Sequence, residues 1–270
     1  MLAFPNVKIN IGLFVNDKRA DGFHNLESLF YPVLLKDILE IVPNGRKEDR
    51  LFITGKAIEG KQDQNLCMKA LKRFRQEVEM PGTDIHLHKL IPMGAGLGGG
   101  SSDASFTLKL LNDLFDAKLS EKSLIRIAED LGSDCPFFII NKPAIVSGRG
   151  EFIKVVDFTL AGDYIVLVHP HIHISTAEAF AGIKPREASM DIEKICMLPK
   201  SEWKKHVFND FEKNLKQKHK EIQKIKQELY DKGAYFASLT GSGSSVFGLF
   251  DHKPELTGVL NFETNVLNLS

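Results

Sequence analysis

The sequence predicts a mixed chain of β-strands and amphipathic helices, on three observations. In residues 7–13 apolar and polar side chains alternate, which is the period-two signature of a strand with one buried face. Residues 65–78 and 104–115 instead repeat apolar side chains at helical spacing. A glycine-rich stretch at 92–105 leads directly into the second of these helices. We therefore expect strands and helices joined by a loop that can bind a ligand.

The remaining elements follow in order along the chain. Ser175 and Glu178 form a capping box that starts a short helix running through Phe180. The helix after the glycine-rich stretch is expected to run from Ser102 onward, with Ser101 or Ser102 as its N-cap. Further strands are predicted at 23–33, 37–42, 50–54, 85–90, 137–140 and 164–168, a strand hairpin at 238–250, and further helices at 124–131 and 219–232.

Composition limits the class of protein. With 270 residues the chain can bury a full core, as one large or two modest domains. Its formal net charge is zero, so bulk charge predicts neither nucleic-acid nor membrane binding. No secretion signal is apparent, and no apolar run approaches the roughly 18 residues that span a bilayer. The three cysteines indicate reduced thiols, and we expect a soluble, cytoplasmic protein: Cys67, Cys135 and Cys196.

The stretch PMGAGLGGGSSDAS at residues 92–105 predicts a phosphate-binding loop. Glycine reaches positive φ without a Cβ penalty, so consecutive N–H groups can turn inward as an anion-binding nest. The helix that follows adds its N-terminal dipole and its unpaired amides. Asp103 falls in the first turn, where a carboxylate suits the helix dipole and can also hold a divalent cation.

Other glycine loops fit this stretch less well. A Walker A loop requires a lysine after its last glycine, and here Gly100 is followed by Ser101. Gly94, Gly96 and Gly99 match the dinucleotide pattern GxGxxG, but that pattern belongs in a strand-helix-strand unit with an acidic residue about 20 positions on. A flexible linker is disfavoured because a predicted strand and an amphipathic helix adjoin the loop.

Two further segments accompany the loop in a fixed order. PNVKINIG at residues 5–12 precedes it, and TGSGSSVF at 240–247 follows it. With the loop, these segments resemble the three motifs of the GHMP kinases, which act on galactose, homoserine, mevalonate and phosphomevalonate. The form GLGGGSSDA is most similar to the branch that phosphorylates a cytidine-diphosphate-linked methylerythritol for isoprenoid synthesis. We name PNVKINIG motif one and TGSGSSVF motif three.

The resemblance implies an α+β fold with two domains. The first would be an ATP-binding domain at residues 1–157, similar to domain 2 of ribosomal protein S5. The second would be a ferredoxin-like domain at residues 158–270. Asn209, Asp210 and Glu212 resemble the family's NDLE segment, for which we expect a structural role.

The resemblance also implies catalytic and ATP-binding roles. Asp134, in GSDCPFF, would take the proton of the acceptor hydroxyl, and Lys8 would steady the reacting groups with its charge. Without the resemblance, Lys8 is equally an edge lysine of a strand and Asp134 a turn residue. Mg²⁺ would lie at Ser102 or Asp103. By the same resemblance Asn65 and Leu66 would contact adenine, although a helix N-cap explains Asn65 equally well. ATP would be bound by Asn65, Leu66, Pro92, Met93, Gly94, Ala95, Gly96, Leu97, Gly98, Gly99, Gly100, Ser101 and Ser102.

Substrate recognition is implied by DGFHNLESLF at residues 21–30, which resembles the family's DGYH segment. Phe23 stands where the family has tyrosine, so a stacking surface is kept but a phenol hydrogen bond is lost. The partner implied is a small molecule with a cytidine diphosphate group, without nucleic acid or membrane, and the protein would be a monomer or weak homodimer. The substrate residues implied are Asn10, Phe23, His24, Phe30, Thr176, Phe180, Gly241 and Ser242.

Three alternatives remain open at this point. The chain can be another GHMP kinase of the homoserine or mevalonate type, against which the pair Phe23 and His24 argues. It can be a catalytically silent nucleotide-binding protein, against which Lys8 and Asp134 argue. The segment HPHIH, with histidines at 169, 171 and 173, can instead indicate a metallohydrolase, although no acidic ligand lies at a suitable spacing.

Overall fold

The computed structural model of the chain describes residues 1–20, 22, 24–58, 60–183, 185, 191–215, 217–256 and 262–269. Its contacts divide the chain into two units that interleave along the sequence. Unit 1 comprises Met1–Val7, Leu35–Met93 and Gly98–Lys142, and unit 2 comprises Lys8–Leu34, Gly94–Leu97 and Pro143–Ser270. Residues 143–157 belong to unit 2 by their contacts. These contact units are not the two expected domains, so the boundary after residue 157 stays a prediction.

Helices and strands are both numerous, in keeping with the expected α+β class. The strands are β1 (Leu2–Ala3), β2 (Asn6–Lys18), β3 (His24–Lys36), β4 (Ile38–Pro43), β5 (Arg50–Gly55), β6 (Thr83–Lys89), β7 (Ala144–Gly148), β8 (Phe152–Val155), β9 (Tyr164–His169), β10 (Phe236–Leu239), β11 (Val246–Phe250) and β12 (Glu263–Asn268). The α-helices are α1 (Leu66–Phe74), α2 (Gly99–Leu114), α3 (Glu121–Glu129), α4 (Cys135–Ile140), α5 (Thr176–Phe180), α6 (Lys200–His206), α7 (Phe211–Leu215) and α8 (Lys220–Asp231). Short 3₁₀ helices lie at Gln62–Gln64 and Ile192–Met197.

Unit 1 is a four-stranded sheet covered by helices. Its strand order is β1-β4-β6-β5, with β5 parallel to β6 and the other pairs antiparallel. In β6 the alternation predicted from the sequence is present, because Ile85 and Leu87 are buried while His86 is exposed. Side chains of α1 and α2, among them Phe74 and Leu108, join these strands in one apolar core.

Unit 2 holds two sheets, with strand orders β10-β11-β9-β12 and β2-β3-β7-β8. Its apolar core includes Val166 of β9, Leu229 of α8 and Phe250 of β11. The expectation of one buried face for β2 was wrong, because Lys8 is 3% exposed and Asn10 is 1% exposed. Both faces of the strand are covered there, so its polar side chains must find partners inside the protein.

Two local predictions were also wrong. Residues 137–140 are not a strand, because they lie in α4, which has Pro136 in its first turn. A short run that is apolar on every side fits a buried strand and a buried helix equally well. The other helix, α2, begins at Gly99 rather than at Ser102, and its N-cap is Gly98 with φ of 71°. Glycine adopts this left-handed conformation without strain, so a serine cap is not needed.

Within the part of the chain that the structure describes, no helix combines the length and apolarity needed to cross a membrane.

Candidate active site

In unit 1 the end of the glycine loop becomes the N-terminus of α2. The N–H of Ser102 donates to the carbonyl oxygen of Gly98 at 2.9 Å. The first amides of any helix lack partners within the helix, and the helix dipole makes this end attractive to anions. A side chain at Gly100 would lie 3.6 Å from Leu66 and 3.9 Å from Met93. The structure thus brings together three residues predicted to bind ATP.

Asn65 has a local structural role next to these residues. Its side-chain oxygen accepts from the N–H of Cys67 at 2.9 Å and caps α1. This cap fixes the start of the helix at Leu66. The sequence had left open whether Asn65 is a cap or an adenine ligand, and the cap is present.

Ser102 and Asp103 are buried polar residues near the start of α2. The expectation that Asp103 lies in the first turn was wrong, because the helix begins at Gly99 and has no acidic residue in that turn. Ser102 is 0% exposed and Asp103 is 2% exposed. Among the described residues, Ser102 Oγ and Asp103 Oδ1 have no hydrogen-bond partner. Buried polar atoms are nearly always paired, so each of these two unpaired oxygens is a candidate ligand for a water or a cation.

Lys89, at the end of β6, holds the other oxygen of Asp103. Its ammonium donates to Asp103 Oδ2 at 2.8 Å and also to Asp37 Oδ2. Burial raises the pKa of Asp103, although the charge of Lys89 opposes that rise. Burial lowers the pKa of Lys89, but the attraction of Asp103 and Asp37 outweighs it, so the net shift is upward. Lys89 and Asp37 could not be identified from the sequence, because no local pattern joins residues 37, 89 and 103.

Asp134 lies at the N-cap position of α4, in unit 1, with φ of −86°. Its side chain makes no capping hydrogen bond to that helix. The following Cys135 is fully buried, and its carbonyl oxygen accepts from Ser105 Oγ at 2.7 Å. This bond fixes the backbone next to Asp134 against α2, while the carboxylate is not used for capping.

The three cysteines are unpaired thiols, as expected. Burial raises the pKa of Cys135 to about 11 and raises that of Cys67 further. Cys196, in unit 2, is partly exposed, and burial raises its pKa as well. Thiolate reactivity is therefore low in unit 1.

In unit 2, Lys8 is held between an amide and an aromatic ring. Its ammonium donates to Asn10 Oδ1 at 2.6 Å and lies 4.6 Å from the centre of the Phe30 ring. A cation over an aromatic face is attracted by the ring quadrupole. Lys8 is therefore not a solvated edge lysine, and the structure brings it together with two residues predicted to bind substrate.

Asn10 connects Lys8 to motif three. Its Oδ1 atom also accepts from the N–H of Gly241 at 2.8 Å, and its Nδ2 donates to Ser28 Oγ at 2.9 Å. Its backbone N–H donates to Thr240 Oγ1 at 3.2 Å. We call Asn10 with these partners the Asn10 hub. Both ends of the Asn10 amide are therefore used within the protein.

The middle of the glycine loop, Gly94–Leu97, contacts motif three within unit 2. The N–H of Ser245 donates to the carbonyl oxygen of Ala95 at 3.1 Å, and the N–H of Lys8 donates to that of Leu97 at 3.0 Å. Gly96 has φ of 75°, and a Cβ there would clash with the carbonyl oxygen of Thr240. Only glycine fits at this close approach of two backbones.

The residues predicted to recognise cytosine are brought together in part. The rings of His24 and Phe180 stack at 4.8 Å with an angle of 22°, and Phe211 meets Phe180 edge-on at 4.9 Å. Thr176 begins α5, which Ser175 caps. Phe23 lies outside the described residues. His24 therefore covers one face of Phe180 in this structure.

The segment Asn209 to Glu212 holds the end of β10 and the start of motif three in place. Asn209 Nδ2 donates to the carbonyl oxygens of Leu239 at 3.0 Å and Gly241 at 2.9 Å. Glu212 Oε1 accepts from Ser238 Oγ and from the N–H of Leu239, both at 2.9 Å. The structural role expected for this segment is thus to bind residues 238–241. In the sequence, the cluster of polar residues at 209–212 among apolar neighbours was the feature that indicated such a role.

The HPHIH segment forms no metal site among the described residues, because no group of three His, Cys, Asp or Glu side chains there could hold an ion. The rings of His169 and His171 instead meet edge-on at 4.9 Å. His169 Nδ1 lies 3.4 Å from Ser245 Oγ.

Comparison with family models agrees with the motifs. Residues 65–142 match the model described as GHMP kinases N terminal domain, and residues 199–262 match the one described as GHMP kinases C terminal. A 4-diphosphocytidyl-2-C-methyl-D-erythritol kinase of Bacteroides fragilis is 47% identical over 259 residues, which cover 95% of this chain and 94% of the relative. That of Cytophaga hutchinsonii is 43% identical over 270 residues, covering 100% and 97%.

Solved structures give the same result. A crystal structure of 4-(cytidine 5'-diphospho)-2C-methyl-D-erythritol kinase has a TM-score of 0.80 and 29% identity, covering 92% of this chain and 90% of its own. The Methanococcus jannaschii mevalonate kinase has a TM-score of 0.68 at 14% identity, covering 100% and 98%, and shows that the fold is shared. The predicted GHMP fold is confirmed. This chain belongs to the GHMP kinases, within the family of 4-diphosphocytidyl-2-C-methyl-D-erythritol kinases.

Proposed function

We propose that this protein transfers the γ-phosphoryl group of ATP to the 2-hydroxyl of 4-diphosphocytidyl-2-C-methyl-D-erythritol, in the non-mevalonate route to isoprenoid precursors. The observation that carries the proposal is near full-length identity of 43% to 47% with curated relatives of that name. The buried Lys8 at motif one and the carboxylate of Asp134 supply the residue types that the reaction requires.

The chemistry assigns one role to each of these residues. Asp134 accepts the proton of the acceptor hydroxyl as its oxygen attacks the γ-phosphorus and the bond to the β-phosphate oxygen breaks. Lys8 stabilises the negative charge of the reacting oxygens, in a position set by Asn10 and Phe30. Because phosphoryl transfer depends mainly on positioning and charge, the rigid anchoring of Lys8 is as important as its charge.

ATP binds through the glycine loop in this proposal. Backbone amides of the loop and of the start of α2 bind the phosphates. Leu66 and Met93, which both lie within 4 Å of a Cβ built at Gly100, form an apolar surface for adenine. Met93 is 47% exposed, so its side chain is accessible to the nucleotide.

A magnesium ion fits the start of α2. The unpaired oxygens of Ser102 and Asp103 are hard oxygen ligands of the kind that Mg²⁺ prefers. The ion supplies charge neutralisation for the phosphates when bound. Ser102 and Asp103 would hold it through these oxygens, while the second Asp103 oxygen stays with Lys89.

Cytosine recognition uses Phe180 as a stacking surface. In this proposal the base takes the place of His24 on the Phe180 ring, and His24 then hydrogen-bonds the edge of the base. Phe23 adds a second stacking ring. Thr176, Phe30, Gly241 and Ser242 are assigned to the rest of the substrate.

We also infer a cytoplasmic enzyme, because three unpaired thiols suit a reducing compartment. It acts as a monomer or weak homodimer, which gel filtration across a range of concentrations tests directly.

The experiment that tests the function is ADP release from Mg-ATP with a panel of acceptors: 4-diphosphocytidyl-2-C-methyl-D-erythritol, mevalonate, homoserine and galactose. We expect turnover of the cytidyl substrate alone, and its loss in Asp134→Asn. Turnover of a different alcohol would keep the family and overturn the substrate. ATP binding without turnover of any acceptor would instead identify a silent nucleotide-binding protein.

A further inference from the structure

Three charged side chains of unit 1 form a buried network at the base of the glycine loop. Asp37, between β3 and β4, and Lys89, at the end of β6, are both 0% exposed. Asp103, in α2, is 2% exposed. The ammonium of Lys89 donates to both carboxylates. We call these three residues the Asp37 triad.

The triad holds the chain on the N-terminal side of the loop. Asp37 Oδ1 accepts from the backbone N–H of Leu90 at 2.6 Å and of Ile91 at 2.9 Å. These are the last residues before Pro92, where the loop begins. A carboxylate that accepts two backbone N–H groups in the interior fixes that backbone firmly.

The same triad holds the chain on the C-terminal side of the loop. Asp103 lies near the start of α2, and the Lys89 ammonium lies 3.6 Å from where a Cβ of Gly99 would stand. A lysine at a helix N-terminus opposes the helix dipole, and Asp103 offsets this charge. Through Asp37 and Asp103, the Lys89 ammonium therefore connects the backbone just before the glycine loop to the start of the helix just after it.

Stability alone does not account for this arrangement. Buried ion networks are often no more stabilising than apolar residues of the same size, because each charge loses its hydration. The triad also carries two carboxylates for one ammonium. What it does provide is a fixed separation of the two loop ends.

We propose that the Asp37 triad is a positioning network that sets the glycine loop for ATP, with Lys89 as its bridging residue. The proposal rests on the proposed binding of ATP by this loop. None of the three residues acts on the acceptor, so the network affects nucleotide binding and leaves the affinity for the cytidyl substrate unchanged.

The test compares three variants at a temperature well below unfolding. Lys89→Met removes the bridge and leaves two carboxylates without it. The double variant Lys89→Met with Asp37→Asn removes one of these charges and keeps an oxygen for the N–H groups of Leu90 and Ile91. Arg75→Met is the matched control, since Arg75 binds both oxygens of Asp49 and the carbonyl of Met80 in unit 1, away from the loop.

We expect Lys89→Met to raise the KM for ATP, and the Kd for Mg-ADP measured by calorimetry, by about tenfold or more, because loop geometry is lost. The KM for the cytidyl substrate should stay within about twofold, since the change is local. The double variant should regain part of the lost thermal stability, since only Asp103 is then left charged without Lys89, but keep the weak nucleotide binding. Arg75→Met should lower the Tm and leave nucleotide binding unchanged.

Two results would overturn the proposal. One is a Lys89→Met protein that loses stability but binds Mg-ADP as the native chain does. The other is a double variant that regains both stability and nucleotide affinity, which would make the triad a structural charge cluster. If Lys89→Met does not fold, the Kd of the double variant for Mg-ADP tests the proposal by itself. A native chain that binds Mg-ADP but does not phosphorylate the cytidyl substrate would count against the proposed function and leave this test intact.

Discussion

The two units hold their functional residues by different physical means. Unit 1 uses buried charges, in the Asp37 triad at the base of the glycine loop. Unit 2 holds Lys8 and Gly241 through neutral amides and hydroxyls, in the Asn10 hub and in the bond from Asn209 to Gly241, and uses the Glu212 carboxylate only beside them, at Ser238 and Leu239. Removing one partner of a buried ion pair costs about 3–5 kcal/mol, whereas stranding a neutral polar group costs about 1–3 kcal/mol. Unit 1 should therefore be the less tolerant of substitution at these positions.

The largest effect on catalysis is expected from removal of the Lys8 ammonium, which the Asn10 hub holds in place. Lys8→Met should lower kcat by about 10² to 10³, the usual loss when a group that stabilises transition-state charge is removed. Asn10 keeps its bond from the N–H of Gly241, so the hub should survive. Steady-state ADP release measures the effect. Lys154→Met, which removes an exposed ammonium of the same unit, is the control. A kcat close to the native value would remove Lys8 from the catalytic residues.

The next prediction tests whether Lys8 needs the hydrogen bond to Asn10 in addition to its own charge. Asn10→Leu removes the acceptor of the Lys8 ammonium and of the Gly241 N–H, and one donor to Ser28 Oγ, which keeps its own bond to the carbonyl oxygen of Gly12. We expect the free energy of unfolding to fall by about 2–3 kcal/mol, together with a fall in kcat, because these buried hydrogen bonds are lost. Urea unfolding and ADP release measure the two changes. Asn268→Leu, at an exposed position of β12, should change neither. A normal kcat in Asn10→Leu would show that Lys8 does not depend on this anchor.

A smaller effect is expected at Asn209, whose amide hydrogen-bonds the start of motif three, the residue before it and the N–H of Phe211. Asn209→Ala removes this partner of the carbonyl oxygens of Leu239 and Gly241 and of the Phe211 N–H. The free energy of unfolding should fall by about 1–3 kcal/mol, with a smaller change in kcat than for Asn10→Leu, since Lys8 is untouched. Urea unfolding of both variants gives the order. An Asn209 variant that loses more activity than the Asn10 variant would reverse the proposed importance of the two amides.

The smallest effect concerns the ion pair of Arg50 and Asp84 in unit 1, in which the Arg50 side chain is partly exposed, unlike Lys89 of the triad. Hydrogen bonds from Arg50, and then from Asn44, lower the pKa of Asp84 to about 2. Because the folded pKa lies below the unfolded value of about 3.9, this pair stabilises the fold above that value and loses the effect as pH falls towards 2. The Tm of the native chain should fall more than that of Arg50→Met between pH 4 and pH 2. Equal falls in both proteins would show that the pair contributes nothing.

Local patterns predicted the parts of the fold that local physics determines. The helix α1 and the strand β6 were found by periodicity, and Asn65 was recognised as a possible cap. The helix α4 was missed because its residues are apolar on every side, so only the surrounding protein decides between helix and strand. The start of α2 was placed three residues late, because the left-handed Gly98 caps by its backbone conformation and not by a side chain.

The site was predictable to the extent that its residues lie within motifs. Lys8, Asn10 and Phe30 do lie together, and so do Leu66, Met93 and Gly100. The Asp37 triad could not be predicted, since its members are 52 and 14 residues apart and each has an ordinary local context. The roles assigned to the individual site residues stay predictions, and Phe23 lies outside the described residues.

The three cysteines allow the opening of unit 1 to be measured by alkylation, because they differ in exposure. Cys67 and Cys135 are buried in unit 1, with pKa values raised by burial, whereas Cys196 of unit 2 is partly exposed. During a pulse of iodoacetamide, Cys196 should be alkylated first and report the reagent dose. Labels on Cys67 and Cys135 should then accumulate only as fast as unit 1 opens. The ratio of label on Cys67 and Cys135 to label on Cys196, measured by mass spectrometry, thus compares how often unit 1 opens in any two variants. No engineered probe is needed.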